Sequence, residues 1–263
     1  MPYCSIEQGS LYYEVNGKGN PLLLIAGLAS DIQSWVTVKK SLSSRFQLVM
    51  FDNRGVGRTK FTSGTISIDQ MTQDVVSLLD YLGYEKVHVI GHSMGGMIAM
   101  NLAVRYPERV DKLVLTATAP KLNARNILQL RDWVTFMNVG MNLEMWYKNL
   151  FYWIYSDAFF EKTGMLTAWL VGALNYQYPV SPASFSEQVE AIVKFDFTEK
   201  LHHINCPTLV LSAKHDRLFN AEESFNQFML VKNIQSEILP EAGHALHVEQ
   251  PEYFAKAVIV FLS

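Results

Sequence analysis

The sequence predicts an α/β protein: a mostly parallel central sheet flanked by helices, with a helical segment inserted into its second half. Three observations predict it. Apolar runs of strand length alternate with amphipathic runs of helix length, the signature of βαβ units. That rhythm breaks after Pro120, and residues 121–182 contain no convincing strand. A chain of 263 residues, 49% hydrophobic and 18% charged, has material for one sizeable core plus a small appendage rather than two equal domains.

The strands read, in order, as SLYYEV, PLLLIAG, FQLVMFD, KVHVIGH and RVDKLVLTA, then PTLVLSA and QSEILP after the interruption. A helix over Ile68–Leu82 carries Met71, Val75, Leu78, Leu79 and Leu82 at helical spacing, and Gly83 ends it. A second helix is expected over residues 95–106, and the last over Pro251–Leu262. Residues 121–182 are expected to form a helical cap inserted between two parts of the main domain, 1–120 and 183–263, with YPVSPAS as the return hinge. The cap holds 13 of the chain's 32 Phe, Trp and Tyr residues, more apolar surface than a solvated insertion needs. Placed above the C-terminal edge of the sheet, its inner face is expected to wall a pocket with some of Trp133, Phe136, Met137, Met141 and Trp146.

Charge narrows the partners. The chain carries 22 Lys and Arg against 25 Asp and Glu, a formal net charge of −3 with no basic run, so a nucleic-acid partner is not expected. The N-terminus lacks a basic region followed by an apolar one, and the longest apolar runs are too short to span a bilayer. A soluble, cytoplasmic protein without a membrane partner is expected. Cys4 and Cys206 are far apart and in no metal-ligand spacing, which points to reduced structural thiols and to no metal or other cofactor.

The segment KVHVIGHSMGGMIAM sets Ser93 between a buried strand and a buried helix. Gly91-His92-Ser93-Met94-Gly95 fits G-x-S-x-G, and that strand–turn–helix context is what a nucleophile elbow requires. The tight turn forces unfavourable angles on the serine, and the residues two before and two after must be small. A helix N-terminus beneath it aims N–H groups at a developing oxyanion. A serine nucleophile needs a histidine base and an acid to orient it, following along the chain as acid and then histidine. His88 and His92 adjoin the elbow, and His202 and His203 lie on a short polar segment, so structural or surface roles suit these four. His244 lies on the loop between the last strand and the last helix, where a base can reach over the serine; His247 is its neighbouring competitor. Asp216 follows PTLVLSA at the same sheet edge, whereas Asp196 and Glu241 follow no strand.

These residues, together with PLLLIAGLASDIQSW, FDNRGVGRT, RYPERVDKLVL, CPTLVLSAKHD and GHALHVEQPEYF, give the chain a resemblance to the α/β-hydrolase fold over nearly its whole length. The likeness is to that fold's serine esterase and lactonase group. The resemblance implies Ser93 as nucleophile, Asp216 as acid and His244 as base. It also implies an oxyanion hole made by the N–H groups of Met94 and Leu28. Here Ala26-Gly27 replaces the His-Gly usual before that second donor. FDNRGVGRT lacks the spacing of a phosphate loop, and Asp52 and Arg54 read as a structural turn with an ion pair.

Within this fold, dehalogenases and epoxide hydrolases place Asp at the elbow, so Ser93 argues against both. The nearest likenesses are 3-oxoadipate enol-lactone hydrolases and the methyl esterase of biotin synthesis, with carbon–carbon bond hydrolases and cofactor-free haloperoxidases behind them. The expected function is that of an enzyme cleaving a small-to-medium carboxylic ester or lactone through an acyl-enzyme. The competing class is a ligand receptor that keeps the triad but turns over slowly or not at all. Neither the natural substrate nor the oligomeric state is legible in the sequence.

Overall fold

The computed structural model describes residues 2–61 and 64–263. Among them, nine strands form one sheet: β1 (Tyr3–Ile6), β2 (Gly9–Asn16), β3 (Pro21–Ile25), β4 (Gln47–Phe51), β5 (Lys60–Phe61), β6 (Val87–His92), β7 (Val110–Thr116), β8 (Thr208–Ala213) and β9 (Ile234–Leu239). Their order is β1-β2-β4-β3-β6-β7-β8-β9, with β5 on β2. From β4 onward every neighbour is parallel, and β1, β2 and β5 pair antiparallel at one end. The expected mostly parallel α/β architecture is therefore the one found.

The helices are α1 (Val36–Ser43), α2 (Ile68–Leu82), α3 (Met94–Arg105), α4 (Ala124–Asn138), α5 (Leu143–Ile154), α6 (Asp157–Glu161), α7 (Met165–Leu174), α8 (Pro182–Val193), α9 (Ala221–Phe228), α10 (Leu246–Glu249) and α11 (Pro251–Leu262). Two-residue alternation sorts the strands into two cores. Leu23, Ile25, Val49, Phe51, Val87 and Val89 pack against α2 and α3, while Leu22, Leu24, Leu48 and Met50 pack with α1 and α11 on the other face. The bounds expected for α2 and α11 are those observed, and α2 has a mechanism at each end. Ser67 accepts from the Gln70 N–H, and Gly83 at φ 72° closes the helix in the left-handed region.

Sequence reading missed β1 and β5, which have four and two residues. The Asp52–Arg54 ion pair is a second correction. Asp52 is held bidentately by Arg58, at 2.8 and 3.0 Å, whereas Arg54 turns inward and pairs with Asp74 on α2 at 2.6 and 2.8 Å. Both carboxylates are buried, so each takes the guanidinium that reaches it with two N–H groups at once.

Between β7 and β8 the chain is helical from α4 through α8, apart from one bridge between Lys121 and Asp196. Phe151, Tyr155, Phe159 and Leu170 form a small core of their own with Ala245, and Trp133, Trp146 and Phe185 join the main core. No helix among the described residues is long and apolar enough to cross a membrane.

Candidate active site

Ser93 sits at the N-terminus of α3 with φ 55° and ψ −119°, in the left-handed half of the backbone map where a non-glycine residue is strained. The turn is clamped from both sides. The Ser93 N–H donates to the Thr116 carbonyl at 3.0 Å, and the Ser93 carbonyl accepts from the Gly96 N–H and the Thr118 hydroxyl. The glycine requirement is steric: a Cβ on Gly95 would stand 2.1 Å from the Ile25 carbonyl oxygen, and one on Gly91 would stand 2.4 Å from that of Gly95.

Asp216 lies three residues beyond β8. Its Oδ1 accepts the N–H groups of Leu218 and Phe219 at 2.8 and 2.9 Å, and its Oδ2 meets His244 Nδ1 at 2.9 Å. A carboxylate only accepts, so the His244 proton sits on Nδ1 and Nε2 is left as the ring's acceptor. Phe219 stacks on that ring at 5.6 Å. The loop carrying His244 is tied down by Glu249, which accepts from the Gly243 N–H at 2.8 Å and from both the N–H and hydroxyl of Ser156. Burial pushes the Glu249 carboxyl above its ordinary pKa.

The other histidines near the elbow are arranged differently. His92 Nε2 lies 2.9 Å from the His244 carbonyl oxygen and must donate to it, which fixes its tautomer. Burial holds His92 well below its ordinary pKa. His247 is wedged between Trp35 and Phe254, with ring centroids 4.9 and 5.8 Å away, and burial lowers its pKa to about 3. His88 contacts Asp111, and His202 and His203 lie on a short helical turn over Thr198–His203. Asp196 pairs with Lys121 at the surface.

Ser93 and His244 open into one cavity of about 590 Å³, in the size range of small-molecule sites. Its floor includes Leu28 and Met94. In the β3–α1 loop the Ala29 N–H donates to Gln188 and the Ser30 N–H to the Gly27 carbonyl, while neither the Leu28 nor the Met94 N–H meets a protein acceptor among the described residues. Trp133 and Trp146 line the cavity and lock α4 to α5: Trp133 Nε1 donates to Asn149 at 2.8 Å and Trp146 Nε1 to the Trp133 carbonyl at 3.3 Å. Phe136, Met137 and Met141 are not on its wall. They lie at the α4–α5 turn, where the Met141 N–H bonds the Phe136 carbonyl, and pack against the main core instead. Sequence reasoning missed Tyr147 and Phe151 on α5, Tyr155 just after it and Trp169 on α7. Their aromatic character was visible, but not the face each helix turns inward.

The lining contains one acid, Asp31, and no Lys or Arg among the described residues. Asp31 Oδ1 accepts from the Gln33 N–H at 2.8 Å, and its Oδ2 accepts the Tyr176 hydroxyl, joining the β3–α1 loop to the helical insertion. Burial raises the Asp31 pKa.

A strained serine on a strand–turn–helix shares its cavity with a histidine held by a buried aspartate, at the C-terminal edge of a mostly parallel sheet. The chain belongs to the alpha/beta hydrolase fold family, whose profile it matches over residues 20–251. It is 32% identical over 261 residues to a protein of Caulobacter sp. (strain K31) named "Putative carbamate hydrolase RutD", covering 96% of each chain. Among solved structures it is similar to an enol-lactonase from Burkholderia xenovorans LB400, with TM-score 0.86, 23% identity and 99% of each chain covered. It is also similar to a thermophilic esterase from Thermogutta terrifontis, with TM-score 0.86, 24% identity and 97% and 93% of the two chains covered. At that identity the two structures speak for the fold alone.

Proposed function

We propose that the protein is a serine hydrolase of neutral carboxylic esters or lactones with small-to-medium apolar acyl groups. The observation that carries this reading is the His244–Asp216 contact of 2.9 Å, on a ring that shares one cavity with Ser93. Ser93 Oγ attacks the carbonyl carbon while His244 Nε2 takes its proton, and Asp216 stabilises the imidazolium. The oxyanion is held by the N–H groups of Leu28 and Met94. The alcohol leaves with the proton from His244, and water then repeats the sequence on the acyl-enzyme to release the acid.

The cavity's character selects the acyl group. With no Lys or Arg in its lining among the described residues, an anionic substrate would be desolvated without a counter-charge, at a cost of several kcal/mol. Each buried methylene instead contributes about 0.8 kcal/mol, nearly fourfold in affinity, until the space is filled. Across p-nitrophenyl acetate, butyrate, hexanoate, octanoate and palmitate, kcat/KM is expected to peak at short or medium length. A steady rise to palmitate would speak for an open lipid groove and against this reading. Repeated turnover separates an enzyme from a receptor, which would give one stoichiometric burst.

The name carried by the 32% identical relative favours a second reading, acyl transfer at a carbamoyl carbon by the same residues. An aromatic cavity of about 590 Å³ is large and apolar for a free carbamate anion, so carbamate hydrolysis is expected to be far slower than butyrate ester hydrolysis.

A further inference from the structure

We infer that Gln188, on α8, is a positioning residue that holds the oxyanion loop in its working shape. This rests on the ester-hydrolase reading above. Gln188 is fully buried, and among the described residues both hydrogen bonds of its amide go to backbone. Its Oε1 accepts the Ala29 N–H at 2.9 Å and its Nε2 donates to the Arg54 carbonyl at 2.9 Å. An N–H needs an acceptor and a carbonyl needs a donor, so the two backbone partners fix which way the amide faces.

The turn it grips is a strained one. The Ser30 N–H closes back on the Gly27 carbonyl at 3.2 Å, making Leu28 and Ala29 the central residues. Ala29 has φ 57°, the left-handed geometry that the third residue of a type II turn requires and that glycine or asparagine normally supplies. Alanine there is strained and relaxes if the Leu28–Ala29 peptide plane flips. The Ala29 N–H belongs to that plane, so its bond to Gln188 opposes the flip. The same bond removes Ala29 as an oxyanion donor and leaves Leu28 as the donor of this loop. The Nε2 arm anchors Gln188 to the loop after β4, where Asn53 also donates to the Ala26 carbonyl at 3.0 Å. Through one side chain α8, whose Phe185 lines the cavity, therefore sets the turn at the cavity's floor.

The test compares Gln188→Met, which keeps length and apolar bulk but loses both bonds, with Gln188→Glu, which keeps an acceptor for the Ala29 N–H. For Gln188→Met, kcat on p-nitrophenyl butyrate is expected to fall about tenfold or more, less than the roughly hundredfold or greater loss from deleting an oxyanion donor outright. KM should stay within about twofold, because ground-state binding uses the aromatic wall. Affinity for a trifluoromethyl ketone, whose adduct carries the oxyanion, should weaken in parallel with kcat. Gln188→Glu should retain more of both than Gln188→Met. Unchanged kcat in Gln188→Met, or a raised KM with kcat intact, would overturn the assignment. If Gln188→Met does not fold, the Glu variant decides: kcat within about threefold of the parent supports the acceptor role, and a larger loss with KM unchanged refutes it. A parent protein without ester turnover would defeat the proposed function instead.

Discussion

Ser93, Asp216 and His244 stand out in sequence because each follows a predicted strand, and a parallel sheet delivers strand ends to one edge. The His244–Asp216 contact and the cavity that Ser93 shares with His244 follow from that topology. By contrast, side-chain direction within a turn is not encoded in spacing, which is why Asp52 takes Arg58 and leaves Arg54 to Asp74. At this scale Ser93→Ala and His244→Ala are each expected to lower kcat for ester hydrolysis by about 10⁵-fold or more with the fold retained, and Asp216→Asn by about 10⁴-fold. His247→Ala should behave differently. Its ring packs on Trp35 and Phe254, so the variant is expected to lose stability by about 2 kcal/mol, read by urea unfolding, with a far smaller loss of kcat. If His247→Ala abolished turnover and His244→Ala did not, the base would be misassigned.

Helices α2 and α11 are legible to the residue because their end signals, Ser67 and Gly83 for α2 and Pro251 at the start of α11, agree with their apolar periods, whereas β1 and β5 are too short to show a period. In the insertion the aromatics were legible as a surplus. Their division between a separate small core and the cavity wall depends on how α4, α5 and α7 cross, and spacing along one helix does not carry that. Docking of the insertion rests partly on Glu249, whose two oxygens satisfy the N–H groups of Gly243 and Ser156 where water does not reach. Glu249→Ala is expected to destabilise the protein by about 3 kcal/mol in chemical denaturation, since it orphans those donors. Glu249→Gln should be milder, because one oxygen remains and the new amide can donate to the Ser156 hydroxyl. Equal stability of both variants and the parent would show that this junction contributes nothing.

For the molecule as a whole, three buried histidines set the dependence of stability on pH. Burial lowers the pKa values of His88, His92 and His247 in the folded state, so below about pH 6.5 the unfolded chain binds protons that the fold excludes. Stability is therefore complete above that value and falls as the pH drops, by up to about 1.4 kcal/mol per pH unit for each histidine. Asp31 and Glu249, whose pKa values are raised, act with the opposite sign: the fold regains stability as the pH falls from their raised values down to the ordinary carboxylate range. Urea unfolding between pH 7.5 and 5 is expected to show this decline, lessened in His247→Phe; a flat profile would contradict it. The cavity, the buried histidine–aspartate pair and the strained serine converge on one central claim, that Ser93 carries the acyl group during turnover. The most direct measurement is rapid acid quenching of the protein with p-nitrophenyl butyrate, followed by proteolysis and mass spectrometry. The account predicts a butyryl group on the peptide containing Ser93, absent from Ser93→Ala; turnover that persists in Ser93→Ala, or an acyl group found only elsewhere, would contradict it.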